Sequence, residues 1–192
     1  MQNKIRIAKY IANAGYCSRR DAEKLIKDRL VKINNIICSH PSHTVNINDK
    51  ISIGKKIIKL NADIRLWKIY KPIKYICSTR DERNRKKIFD LIPVNFPRTI
   101  SVGRLDFMSE GLILLTNNGD YSRKLELPKT GYERIYRLCI RGNIEKDNIE
   151  KINKGIKINN IMYKKIKIKI DKSNKSFTWL IAKLKEGKNR EI

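Results

Sequence analysis

Residues 103 to 120 read GRLDFMSEGLILLTNNGD. A carboxylate, Asp106, stands between Arg104 and a run of apolar residues, with Gly103 and Gly111 on either side. Leu112 to Leu115 is short, apolar and ended by Thr116-Asn117-Asn118-Gly119, the pattern of a buried strand bounded by a turn. Thr99-Ile100-Ser101-Val102 is a second strand pattern that delivers the chain to Gly103. Asp106 is therefore expected in a loop held by two buried elements, a position that suits a pre-organised catalytic group. Ser109 and Glu110 follow it directly. To act as nucleophile or base, the carboxylate must be ionised, partly desolvated and oriented by a cation. Read alone, the residues favour a turn or capping aspartate. They also allow a surface ion pair with Arg104, worth about 0–1 kcal/mol.

Outward from this stretch, strand and helix patterns interleave. Leu66 to Pro72 is a strand entering a turn, and Ile88 to Pro93 a short helix or turn. Tyr121 to Leu127 suits a helix ending before Pro128. Arg134 to Arg141 alternates as a strand, Lys146 to Gly155 reads as a helix, Lys164 to Ile170 alternates strictly between Lys and Ile, and Thr178 to Leu184 is a final strand. Such an order argues for an α+β fold with a largely antiparallel sheet.

The first sixty residues read as a separate module. Ile7, Ala8, Ile11 and Ala12 share one face of a helix over residues 5–14, which Gly15 stops. Ser18 is a good N-cap, and Asp21 three residues later completes a capping-box-like start. Ala22, Leu25, Ile26 and Leu30 form the apolar stripe of this second helix. Val31 to Ile37 alternates about Asn34-Asn35, a hairpin turn because Asn tolerates positive φ. Asp49 to Ile53 is a closing strand, and residues 54–63 supply a last strand and linker. The helix start at Ser18, flanked by Arg19 and Arg20, is a ready phosphate site, with Lys24 one turn on and Lys32 and Asn34 at the hairpin. The competing reading is a solvated basic face. The organisation expected is a small domain over 1–60, a linker over 61–65 and a larger domain over 66–192.

Lys and Arg number 44 against 19 Asp and Glu in 192 residues, a formal charge of +25. Such a charge favours polyanionic partners, because neutralised phosphates release counterions. The over-use of Ile, Asn and Lys also suits an AT-rich genome. Cys17, Cys38, Cys77 and Cys139 contain no CxxC pair, which argues against disulfides and zinc ribbons and fits a reducing cytoplasm. Cys38, His40 and His43 make a loose cluster without a fourth ligand nearby, so no metal is expected. No apolar stretch approaches the ~20 residues that span a bilayer, and the N-terminus lacks a signal-peptide core, so no membrane partner is expected. No internal repeat is read.

GYCSRRDAEKLIKDRLVKINN, residues 15–35, resembles an S4 domain, a small RNA-binding module that usually has Gly where Arg29 stands. VGRLDFMSEGLILLTNNGD, residues 102–120, resembles the signature of the RsuA/RluB branch of ribosomal RNA pseudouridine synthases. Tyr70-Lys71-Pro72, Tyr132-Glu133-Arg134-Ile135-Tyr136 and the terminal Glu186-Gly187-Lys188-Asn189-Arg190-Glu191-Ile192 match further motifs in order. An N-terminal S4 domain is usual in that branch, and residues 81–93 are nearest its large-subunit members. The resemblance implies a small N-terminal S4 (αL-type) domain followed by a mostly antiparallel mixed-sheet catalytic domain. It implies Asp106 as catalytic aspartate, attacking a flipped-out uridine at C6 of the base or C1′ of the ribose, with no cofactor and no metal. Tyr136 would pack against the base, although a strand-core tyrosine is the plain alternative. Arg104, Lys71 and Arg190 would lie near the base or its RNA.

The partner implied is ribosomal RNA, 23S before 16S, or a pre-ribosomal particle, met by a monomer in the cytoplasm. The resemblance places an arginine that pairs with the aspartate directly after position 192. The chain alone is therefore expected to be poorly active or inactive, as a fragment of a longer enzyme, a frameshifted or decaying gene product, or one half needing a separately encoded C-terminal piece. Two other readings stay open: a non-catalytic RNA-binding or ribosome-assembly protein of the same fold, and a hydrolase using Asp106 and Glu110 as a carboxylate pair.

Overall fold

Ile5 and Arg6, expected to open the first helix, are instead extended: they form β1 and pair antiparallel with Thr44 and Val45. Helix α1 then runs Ile7–Asn13 and α2 Arg19–Lys27. In this computed structural model, residues 4–60, 63–188 and 191–192 are described. They pack as two compact units, Met1–Arg123 and Lys124–Ile192.

In the first unit the strands β2 (Val31–Ile33), β3 (Ile36–Ile37), β4 (Thr44–Val45), β5 (Ile51–Ile53) and β6 (Lys56–Ile58) follow the two helices. Sheet order β3-β2-β5-β6 makes the expected hairpin and closing strand neighbours. Asn34 and Asn35 turn the hairpin with φ of 49° and 70°, the two positive values a two-residue turn of this kind needs. Ile7, Ile11, Ala22, Ile26, Val31 and Ile51 are fully buried and centre one core. Leu30, expected on the stripe of α2, is 49 % exposed, because the helix has ended before it. Arg29 takes φ of 57° where the helix closes.

Strands β7 (Leu66–Lys71), β8 (Ile100–Val102) and β9 (Gly111–Thr116) form an antiparallel sheet in the order β7-β9-β8. A 3-10 turn at Ile88–Leu91 buries Ile88 against Ile113 and Leu115. Helix α3 is Gly119–Glu126.

The second unit carries β10 (Arg134–Arg141), α4 (Lys146–Lys154), β11 (Ile156–Ile158), β12 (Ile161–Tyr163), β13 (Lys167–Ser173) and β14 (Phe177–Leu184). Its sheet is antiparallel in the order β10-β14-β13, and Ile152 of α4 packs with Ile166, Ala182 and Leu184. The β11–β12 hairpin was not anticipated, nor was the recurrence behind it. Lys32-Ile33-Asn34-Asn35-Ile36 returns as Lys157-Ile158-Asn159-Asn160-Ile161, with φ of 48° and 63° at its Asn pair. The strand expected from Lys164 begins only at Lys167. The strand pairings are all antiparallel among the described residues, and the fold is α+β.

Candidate active site

Strands β8 and β9 are adjacent and antiparallel, so the chain from Val102 to Gly111 is the loop that joins them. Gly103, at φ of 72°, and Gly111, at 120°, let the backbone leave and re-enter the sheet through conformations that side chains disfavour. Between them Ser109 N donates to Asp106 O at 3.0 Å, closing a turn. Asp106 is thus a turn residue through its backbone, while its side chain is exposed. Among the described residues, Asp106 and Arg104 form no ion pair with each other, so the pairing their spacing allowed is not made.

The loop is fixed from the segment after β7. Lys71 is fully buried, and its Nζ donates to Ser109 O at 2.6 Å and to Pro72 O at 3.1 Å. Lys74 N donates to Phe107 O at 2.7 Å. Cys77 Sγ accepts from Leu105 N at 3.4 Å and lies 3.7 Å from Leu105 O, where its thiol donates. Both sides of Asp106 are therefore tied to residues 71–77. Lys74 stands at φ of 64°, a left-handed position that glycine adopts more readily than a side-chain-bearing residue. Burial lowers the pKa of the Lys71 ammonium, while Cys77, Asp106 and Glu110 pull it back upward.

Glu110 is not idle, since Tyr70 Oη donates to it in a short hydrogen bond that raises the tyrosine pKa. The Arg85 guanidinium lies 5.9 Å from the Phe107 ring centre and also binds Asp81, whose carboxyl falls to about 2 under that hydrogen bonding.

Other expected site residues lie elsewhere. Tyr136 is half-buried on β10, opposite Ala182, and packs against the core cluster of the second unit. That surrounding suits the plain strand-core reading as well as a base contact. Arg190 lies outside the described residues. In the N-terminal module, Ser18 Oγ accepts from Asp21 N at 3.1 Å and donates to Asp21 Oδ2 at 2.6 Å. Arg80 pairs with the other oxygen of Asp21. The helix start thus already holds a carboxylate and a cation. Arg19, Arg20, Lys24 and Lys32 are exposed. Asn34 is occupied by the turn, its Nδ2 donating to Asp49 and its Oδ1 accepting from Lys50 N, both at 2.9 Å. Cys38 is buried, with its thiol directed to His40 O at 3.6 Å.

Sequence reasoning missed Cys77 as a tie to the Asp106 loop. It carries no local pattern, since its partner Leu105 is 28 residues away.

Comparison with known proteins identifies the family of the chain. Residues 65–192 match the RNA pseudouridylate synthase family and residues 5–51 match the S4 domain. The chain belongs to the RNA pseudouridylate synthase family, and it is an isomerase of that family carrying an S4 domain. A Rickettsia felis protein described as an uncharacterized RNA pseudouridine synthase is 44% identical over 188 residues, covering 97% of this chain and 81% of its own. Ribosomal large subunit pseudouridine synthase B of Buchnera aphidicola, from Schizaphis graminum, is 37% identical over 97% of this chain and 76% of its own. The Bacillus subtilis protein of that name is 32% identical over 97% and 77%. A crystal structure of a pseudouridylate synthase superposes with a TM-score of 0.62 at 24% identity, covering 97% of this chain and 80% of that one, which is a likeness of fold.

Proposed function

We propose that the chain isomerises a specific uridine to pseudouridine in ribosomal RNA, with 23S RNA as the target and Asp106 as the nucleophile. The observation that carries this is the Asp106 loop. An exposed carboxylate sits on a turn whose backbone is tied on both sides, to Cys77 at Leu105 and to the buried Lys71 at Ser109. A group fixed in that way loses little freedom when it reacts. The target base must leave its stack to reach it. Attack at C6 of the base or C1′ of the ribose opens the glycosidic N–C bond. The uracil rotates, a C–C bond forms between its C5 and the same ribose carbon, the bond to Asp106 breaks to return the free carboxylate, and the C5 proton is lost while N1 gains one. The sum is an isomerisation, which consumes no co-reactant.

In this proposal residues 1–60 form the RNA-binding domain, 61–65 the linker and 66–192 the catalytic domain, acting as a monomer in the cytoplasm on ribosomal RNA or a pre-ribosomal particle. Arg19, Arg20, Lys24 and Lys32 take phosphates, Arg104 acts beside the nucleophile, and Tyr136 and Arg190 meet the base or its RNA. Lys71 acts from beneath the loop rather than on the RNA, since it has no exposed surface. The relatives named for the large subunit support 23S over 16S. The deciding experiment is carbodiimide and primer-extension mapping of ribosomal pseudouridines with and without this gene. Loss of one 23S stop is expected; an unchanged map would reject the assignment, and a lost 16S stop would move the target.

A further inference from the structure

The Lys and Ile alternation before Ile170 has no part in the Asp106 site. In the second unit it becomes β13, and the strand register shows where it points. Lys167, Lys183 and Ile135 stand in one row across the sheet, and Lys169, Ile181 and Arg137 in the next. Beyond the bulge, Lys172, Trp179 and Cys139 make a third row, and Phe177 with Arg141 ends the series. Directly paired residues share a face and successive residues alternate between faces, so these rows lie on one side. The other side carries Tyr136, Leu138, Ala182, Leu184 and Ile168, packed with Ile152 of α4. The cations therefore occupy the face that α4 leaves uncovered.

Two acids meet this face: Asp171 binds Arg137 at 2.9 Å, and Glu133 lies 3.9 Å from Lys183. Lys167, Lys169, Lys172 and Arg141 are exposed and have no ion pair among the described residues. The Arg137 guanidinium lies 4.2 Å from the Trp179 ring centre, and Phe177 is 45% exposed beside Arg141.

We propose that this face of the β10-β14-β13 sheet is a second RNA-binding surface, distinct from the S4 module, that holds a single-stranded segment of the substrate RNA. It rests on the reading of RNA as substrate. Charge selects the occupant. Covering these ammonium groups with a protein segment would desolvate them with few acids to meet them. RNA brings the matching charge and releases counterions on binding. Cations interleaved with aromatic rings are what a flexible single strand requires, phosphates on the former and bases on the latter.

The test uses the full chain and an in vitro transcribed ribosomal RNA fragment. One variant carries Lys167→Gln, Lys169→Gln and Lys172→Gln. The control carries Lys146→Gln, Lys151→Gln and Lys154→Gln on α4, all exposed and equal in charge removed. Affinity is measured across a salt series. The face variant is expected to lower the log–log salt slope by roughly 2, at about 0.7 per phosphate contact, and the α4 variant by less than about 0.5. Equal losses in the two variants, or an unchanged slope in the face variant, overturn this surface while leaving RNA binding intact. A parent chain that does not bind the RNA overturns the RNA reading itself. On the unmodified protein, acetylation footprinting gives an independent measure. RNA should protect Lys167, Lys169 and Lys172 and leave Lys151 and Lys154 reactive. Protection that grows with protein concentration in the absence of RNA would assign the face to a second copy of the chain and overturn the proposal.

Discussion

The N-terminal module and the Asp106 loop are held by opposite means. Residues 5–58 rest on a distributed apolar core in which Ile7, Ile11, Ile26, Val31 and Ile51 are all fully buried. The Asp106 loop meets a much smaller core, where the half-buried Leu105 packs against the cluster of Ile88, Ile113 and Leu115. Its other neighbours Arg104, Phe107 and Met108 are exposed, and its shape leans on a few hydrogen bonds to Lys71, Lys74 and Cys77. A core spreads stability over many contacts, so its loss is graded and shared. A loop fixed by a few polar ties concentrates both its geometry and its vulnerability in single side chains. In the function proposed here, recognition belongs to the first kind of architecture and chemistry to the second. Substitutions in the two regions should then separate affinity from turnover.

The sharpest separation is expected at Asp106. Asp106→Asn keeps the shape and the backbone turn but removes the proposed nucleophile. Pseudouridine formation on purified RNA should fall by roughly 10³-fold or more, a size usual when a covalent nucleophile is removed. RNA affinity should stay within about twofold. Turnover within tenfold of the parent would end the assignment.

The matching cut in the module is Ile26→Ala. Removing most of a fully buried isoleucine side chain should cost about 2–5 kcal/mol, because the lost burial adds to the cavity left behind. Chemical denaturation should show the loss, and RNA affinity should weaken in step with it. Destabilisation under about 1 kcal/mol would mean that the core is looser than its burial indicates.

Lys71→Met tests the other architecture. The apolar chain fits a buried site, but Ser109 O and Pro72 O lose their donor. Turnover should fall roughly 10–100-fold while KM holds within about threefold, the split expected when a nucleophile is mispositioned and binding is not. An unchanged kcat would reject the positioning role. The pH dependence gives a second readout. The folded-state pKa of Lys71 is lowered, so between it and the ordinary lysine value the unfolded chain binds more protons than the folded one. Stability contributed by this group therefore rises with pH through that alkaline window, and Lys71→Met should abolish that rise.

How much of this was readable beforehand differs between the two architectures in the same way. The Asn34-Asn35 hairpin and the bounds of β10 followed from turn chemistry and alternation, which are local. The loop position of Asp106 followed from the strand patterns on either side of it. Burial of Lys71 and the two-way contact of Cys77 with Leu105 were not readable, because contacts between segments about thirty to forty residues apart create them. Local signals were also passed over. The Asn159-Asn160 turn repeats the earlier pentapeptide, yet Ile158 and Ile161 are about half exposed. Its strands therefore gain little from a core, and only the turn residues mark them. Ile5 and Arg6 fit the helical period but pair with Thr44 and Val45, a choice made by a partner forty residues away.

A double replacement on the module surface should act more mildly than any of these core or site changes. Arg19→Ala with Arg20→Ala removes two exposed cations beside the helix start. If each meets a phosphate, the log–log salt slope should fall by about 0.7–0.9 per contact. Turnover at saturating RNA should hold. A slope that does not move would place the RNA on another face of the module.

The smallest effect is expected to be a gain. Arg29 closes α2 in a left-handed conformation, φ 57°, with Arg29 N donating to Ile26 O and Leu30 N to Leu25 O. Such a helix end is usually occupied by glycine, because a side chain in this region crowds its own backbone by about 1–2 kcal/mol. Arg29 is exposed, and among the described residues its side chain forms no ion pair that would offset the strain. Glycine also frees the unfolded chain, which returns part of the gain. Arg29→Gly is therefore expected to stabilise the protein by about 0.5–1 kcal/mol in chemical denaturation. The pseudouridine yield should not change, because among the described residues no hydrogen bond or ion pair joins the Asp106 loop to this helix end. A loss of RNA affinity beyond about threefold would show that Arg29 is retained for the nucleic acid, with strain accepted in exchange for a phosphate contact.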